Sequence, residues 1–233
     1  MPDALRDAVF EANLAIVRAG LVVLTFGNAS AADRERGVMA IKPSGIAYED
    51  LRPETIAVVD LETGETVLGE QRPSSDTPTH LALYRAFPGV GGIVHTHSAY
   101  ATAWAQARRE LRCLGTTHAD HFRGTVPVTR PLTSEEIAGD YERLTGEVIV
   151  ETFAAGSLEP LDVPAVLVAS HGPFAWGADV AEAVENAVAL EAVAAAAYCT
   201  ELLRPGLSPL EHELLERHFS RKHGPGAYYG QVP

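Results

Sequence analysis

His95 and His97 stand two residues apart in the stretch Gly91-Gly92-Ile93-Val94-His95-Thr96-His97-Ser98. Ile93 and Val94 read as the end of a buried strand, and in extended backbone residues i and i+2 leave the same face. Two imidazoles side by side suit one divalent metal ion. The bland alternative is one buried histidine and one at a turn. His171 also follows an apolar run, Ala165-Val166-Leu167-Val168. Strand ends can converge at one edge of a sheet, so His95, His97 and His171 can form a three-imidazole face. Asp76, at the start of a helix, could add a carboxylate oxygen, with plain capping as its other role. Such a set suits Zn²⁺, and also Mn²⁺ or Co²⁺.

Three junctions could hold an anion: Gly27-Asn28, Ser44-Gly45 and Ser74-Ser75. Each puts small donors or backbone N–H groups beside a strand end or helix start, and Lys42 adds a point charge. Each is also readable as an ordinary turn, and none is a Walker motif. Asp120, in a loop with His118 and His121, is a candidate acid–base group. Tyr229 is another, since a metal or cation nearby would make its phenol useful near neutral pH. His218, Arg221 and Lys222 form a cationic cluster near the end, or simply a solvated surface.

These residues need elements to position them. Periodicity predicts a helix over Asp3 to Ala19, stopped by Gly20. Thr25 to Ser30 reads as a turn. Val38 to Ile41, Ile56 to Asp60 and Glu65 to Leu68 read as strands, the last two joined by a Glu62-Thr63-Gly64 turn. Thr77 and Pro78 open a helix to about Phe87. A helix over Tyr100 to Arg108, a loop at Thr116 to His121 and a strand near Thr125 to Val128 follow. The Thr133-x-x-Glu136 capping box opens a helix to about Leu144, with an interruption at Gly146 and a restart over Val148 to Phe153. Asp179 caps a long Ala-rich helix to about Leu203, which places Cys199 in the core. Glu211 to His218 is a shorter helix, and the Arg221-to-Gly230 tail is too polar and glycine-rich for a core element. The irregular alternation predicts an α/β fold with some antiparallel pairing and helices covering both faces. No linker divides the chain, so residues 1–233 are expected to form a single domain.

The bulk numbers narrow the function. A formal net charge of −13 argues against general affinity for nucleic acid or anionic membrane. It leaves room for a phosphorylated small molecule at a locally cationic site. The two cysteines, Cys113 and Cys199, offer no disulfide framework or thiolate metal cluster. The N-terminus lacks a signal-peptide pattern, and the most apolar run, Ala187 to Ala197, is too short to span a bilayer. A cytoplasmic protein is expected.

Several segments in one order resemble the class II sugar-phosphate aldolase/epimerase family over essentially the whole chain. They include Ile41-Lys42-Pro43-Ser44-Gly45, Pro73-Ser74-Ser75-Asp76-Thr77-Pro78-Thr79-His80 and the His95-Thr96-His97 stretch. Gly115-Thr116-Thr117-His118-Ala119-Asp120, Ser170-His171-Gly172-Pro173-Phe174-Ala175-Trp176-Gly177 and Arg221-Lys222-His223-Gly224 match as well. The resemblance implies a single class II aldolase-like domain, with a central mostly antiparallel or mixed β-sheet between helical layers. It implies Asp76, His95, His97 and His171 as metal ligands, with zinc the usual ion. Gly27, Asn28, Lys42, Ser44, Gly45, Ser74 and Ser75 are implied as the substrate and phosphate site, and Asp120 and Tyr229 as the acid–base pair. It further implies a C4 homotetramer with sites between subunits, to which Asp120, His218, Arg221 and Tyr229 reach from a neighbour.

Within the family, Asp76 stands where the fuculose- and rhamnulose-phosphate aldolases place a glutamate base. An aspartate is one methylene shorter and fits a metal ligand better, so the resemblance favours 4-epimerisation of a phosphorylated ketopentose. A dedicated aldolase is the alternative, followed by a non-catalytic sugar-phosphate-binding protein. Phe26, where the family commonly has tryptophan, and His121, where it commonly has tyrosine, are the departures.

Overall fold

Short apolar runs separated by Gly, Pro and Asp turns build the centre of the molecule. In the computed structural model, which describes residues 2–223 and 226–228, seven strands form one sheet. They are β1 (Asn28–Asp33), β2 (Val38–Ile41), β3 (Ala57–Asp60), β4 (Thr66–Leu68), β5 (Gly92–His95), β6 (Ala165–Leu167) and β7 (Pro173–Gly177). Their order is β4-β3-β2-β1-β5-β7-β6, and every ladder between them is antiparallel. Helices flank the sheet: α1 (Pro2–Arg18), α2 (Thr77–Ala86), α3 (Ala99–Gln106), α4 (Thr116–Ala119), α5 (Ser134–Ala138), α6 (Tyr141–Gly156), α7 (Val180–Leu203) and α8 (His212–His223). Ile41, Val59, Ile93, Val166 and Trp176 are fully buried in the resulting core.

β1 begins inside the segment read as a turn, Thr25 to Ser30, and runs on to Asp33. Ala29, Ser30 and Ala31 carry no strand preference of their own. Their strand is made by its neighbours, pairing with β2 on one side and β5 on the other. α1 fixes it further: the Asn13 amide accepts from Ala29 N at 2.9 Å and donates to Ala29 O at 3.1 Å. β7 was likewise hidden, because Pro173 opens it and His171-Gly172 precede it in a tight turn. The strand expected near Thr125 to Val128 is only a pair of isolated bridges, Leu111 with Val126 and Val128 with Leu167. Pro127 between them has no N–H to give a ladder.

The helical differences also have local causes. The Thr133–Glu136 capping box is present, but its helix ends at Ala138. Gly139 and Asp140 break the run, and α6 then passes through Gly146 without interruption. A Cβ at Gly146 would come within 2.6 Å of Ala82 Cβ and 3.0 Å of Thr79 O. Glycine there lets α6 lie directly on α2, which offsets its poor helix propensity. Thr116 to Ala119 is a single helical turn rather than a loop. α8 runs on to His223, taking in Arg221 and Lys222. Cys199 faces outward from α7, whereas Cys113 is buried. Among the described residues no helix is long and apolar enough to cross a membrane.

Candidate metal centre and active site

Three imidazoles converge where β5 ends beside the β6–β7 turn. His95 is the last residue of β5, and His97 follows it as the chain leaves the sheet. His171 sits in that turn, closed by His171 N donating to Val168 O at 3.0 Å and Val168 N to Gly172 O at 2.9 Å. Ring centroids are 5.0 Å apart for His95–His97, 4.9 Å for His95–His171 and 5.1 Å for His97–His171. One ligand nitrogen from each lies within 4.8 Å of the others. Gly172 permits this approach, since a Cβ there would come within 2.9 Å of Thr96 O.

The hydrogen bonding selects the ligand atom of His95. Its Nδ1 lies 2.9 Å from Pro173 O, which can only accept, so Nδ1 carries the proton and Nε2 a lone pair. That Nε2 lies 3.1 Å from His97 Nε2. Tetrahedral coordination at about 2.0–2.1 Å would hold two such nitrogens about 3.3 Å apart. The donor set therefore fits a divalent metal. Burial and the neighbouring imidazoles lower the pKa of His97 and push that of His171 down to about 4, keeping both neutral and able to ligate. Tyr141 Oη lies 3.4 Å from His171 Nδ1.

Asp76 occupies the cap position of α2, yet its side chain makes no capping bond. Its Oδ2 accepts from Asn28 Nδ2 at 2.7 Å instead. Burial alone would raise this carboxyl, but His95, His80, Asn28 and His171 together hold it below its ordinary value. Asp76 lines the same cavity as the imidazoles but stands outside their tight cluster.

That cavity, of about 450 Å³, gathers the predicted anion junctions: Gly27 and Asn28, Lys42 to Gly45, and Ser74 and Ser75. Lys42 is 2% exposed, and its Nζ donates to Ile46 O at 2.9 Å. Burial lowers its pKa. Asn28 Oδ1 is buried with no hydrogen-bond partner, an acceptor that a ligand hydroxyl would satisfy. Phe26 stacks on His97 with centroids 6.0 Å apart. Tyr141 and Glu142 also line the cavity and were missed in the sequence. They open α6, and recognising the break at Gly139-Asp140 would have placed them at a helix start.

Asp120, His218 and Arg221 come together elsewhere on the chain. Asp120 Oδ1 accepts from Arg221 Nε at 2.9 Å and lies 3.0 Å from His218 Nδ1, and Arg221 Nη2 donates to Oδ2 at 2.6 Å. Burial would raise this carboxyl, but the Arg221 and His218 contacts outweigh it and keep its pKa low. None of the three lines the histidine cavity of the same chain. Tyr229 lies outside the described residues.

The model of the Class II Aldolase and Adducin N-terminal domain matches residues 7–198. The chain belongs to that family. The L-ribulose-5-phosphate 4-epimerases UlaF of Salmonella paratyphi A and Salmonella typhi are each 55% identical over 227 residues, covering 97% of this chain and 98% of theirs. Among solved structures, an L-fuculose 1-phosphate aldolase superposes with a TM-score of 0.77 at 27% identity, covering 94% of this chain and 95% of its own. YgbL of Escherichia coli, described as a putative aldolase/epimerase/decarboxylase, superposes at 0.72 with 24% identity, covering 93% and 98%, and speaks for the fold alone. An antiparallel sheet flanked by helices, with a histidine metal site at a strand end, is thus the setting in which the chemistry must work.

Proposed function

We propose that the protein is an L-ribulose-5-phosphate 4-epimerase, one catalytic domain over residues 1–233 that interconverts L-ribulose 5-phosphate and D-xylulose 5-phosphate. The observation that carries this reading is one cavity holding His95, His97 and His171 together with Lys42, Ser44 and Ser74. One set of groups suits a cation and the other a phosphate. Identity above half along nearly the whole length supports epimerase over fuculose-phosphate aldolase.

His95, His97 and His171, with Asp76, would hold the ion, and zinc suits that set, with manganese or cobalt as substitutes. When bound, it supplies Lewis-acid stabilisation of negative charge on the ketose oxygens. A base takes the proton from the C4 hydroxyl, the C3–C4 bond breaks, and its electron pair stays with the ketose fragment. The fragments are the enediolate of dihydroxyacetone and glycolaldehyde phosphate. Gly27, Asn28, Lys42, Ser44, Gly45, Ser74 and Ser75 hold the phosphate, so the aldehyde turns over in place and the bond re-forms on its other face. Asp120 and Tyr229 exchange the C4 hydroxyl proton on the two faces. Asp120, kept ionised by Arg221 and His218, carries no proton of its own and can take this one, although the same contacts weaken it as a base. These two, with His218 and Arg221, reach the cavity of a neighbouring subunit in a C4 tetramer.

A coupled assay for D-xylulose 5-phosphate, starting from L-ribulose 5-phosphate, tests the reading. Activity should vanish on chelation and return with zinc. Steady accumulation of free glycolaldehyde phosphate would overturn epimerase in favour of aldolase.

A further inference from the structure

Lys42 and Gly27 belong to different loops, and one buried side chain touches both. Tyr48, 8% exposed, opens a 3₁₀ turn (Tyr48–Asp50) just beyond the Lys42 loop. Its hydroxyl donates to Gly27 O at 2.8 Å. Its ring lies against the ammonium of Lys42, with Nζ 4.7 Å from the centroid. Lys42 Nζ in turn donates to Ile46 O at 2.9 Å, on the backbone that leads to Tyr48. Gly27 is pressed against β5: its φ is +101°, and a Cβ there would meet His95 O at 2.9 Å. Tyr48 does not line the cavity, so whatever it does there goes through these neighbours.

We infer that Tyr48 is a positioning residue, a clasp that sets the Lys42 ammonium against the Gly27-Asn28 backbone so that the two grip one phosphate. An anion held between a cation and a loop is bound weakly if either must be ordered at the moment of binding. The clasp removes that cost in advance. The aromatic face attracts the ammonium. Its Nζ also donates to Pro43 O at 3.4 Å, so with Ile46 O two of its three N–H groups are taken and the third is the one left for the anion. The inference rests on the phosphate assignment made for the proposed reaction.

Tyr48→Phe keeps the ring and deletes only the bond to Gly27. Tyr48→Leu removes both contacts. With zinc-loaded protein, inorganic phosphate binding is measured by calorimetry, alongside KM and kcat for L-ribulose 5-phosphate. Tyr48→Phe should weaken phosphate and raise KM roughly two- to tenfold, as expected for one hydrogen bond. The loss in Tyr48→Leu should be larger, roughly tenfold or more. Zinc content should stay unchanged, and kcat in Tyr48→Phe should stay within about twofold, because the metal ligands are untouched and the rest of the phosphate grip still retains the aldehyde. Wild-type phosphate affinity in both variants would overturn the inference. So would a fall in kcat at unchanged KM and phosphate affinity. If wild-type protein fails to turn over L-ribulose 5-phosphate, the epimerase reading fails, and the phosphate affinities still decide the role of Tyr48.

Discussion

His97 and Asp120 separate two kinds of loss on the proposed mechanism. His97→Asn removes one imidazole from a close cluster of three, so bound zinc should fall below stoichiometric and activity with it, as atomic absorption after dialysis would report. Asp120→Asn should keep its zinc and lose turnover by about 10²-fold or more, the usual scale for a positioned acid–base group. Full metal content and full activity in His97→Asn would remove the site assignment. The imidazoles were legible because His-x-His at a strand end has few readings, and a third strand-end histidine completes the set. Tyr141 and Glu142 were not, since nothing about Tyr-Glu in a helical run points inward. Asp76 was legible as a helix-start carboxylate, while its bond to Asn28 depends on a β1 that its own sequence does not announce.

Among the elements, α2 carries Asp76 at its start and packs on α6 through Gly146. Gly146→Ala sets two effects against each other. Alanine favours a helix over glycine by about 1 kcal/mol. Overpacking against Ala82 Cβ and the Thr79 carbonyl costs about 1–3 kcal/mol, and backbone on one side leaves little room to yield. The net is expected to be destabilising, read as a lower urea midpoint at unchanged slope. Activity should drop as well, because a displaced α2 moves Asp76. The sequence offered Gly146 as an interruption because propensity is local, whereas the close helix contact that requires glycine is not. The same reason explains the small-residue β1 and the proline-led β7, whereas the Gly139 break is a local signal that the sequence does carry. Val38–Ile41 and the Ala-rich α7 were readable because their patterns are strong enough to need no neighbour. The outward-facing Cys199 shows that alanine on every side of a helix hides which face is buried.

At the scale of the whole molecule, two buried histidines outside the ligand set tie stability to acidity. His118 is 3% exposed and lies 2.7 Å from Gly124 O through Nε2. Burial pushes its pKa down to about 4 and that of His80 down to about 3. Both are lowered relative to the unfolded chain, which takes up protons as pH falls below about 6.5. Stability is therefore full above that pH and lost as pH falls towards 4 and below. For His118 alone the loss is roughly 3 kcal/mol. The thermal midpoint should drop steeply between pH 6.5 and 4, and a flat profile there would contradict the neutral burial of both rings.

The Asp120–His218–Arg221 cluster and the histidine cavity occupy separate places on one polypeptide. If each working centre is shared between neighbours, a defect in one contribution can be rescued by the other. Two inactive proteins, His97→Asn and Asp120→Asn, unfolded together and refolded as random mixed rings, should regain about a quarter of normal activity, because one junction in four joins two undamaged halves. Inert mixtures with confirmed subunit exchange would mean that every chain works alone.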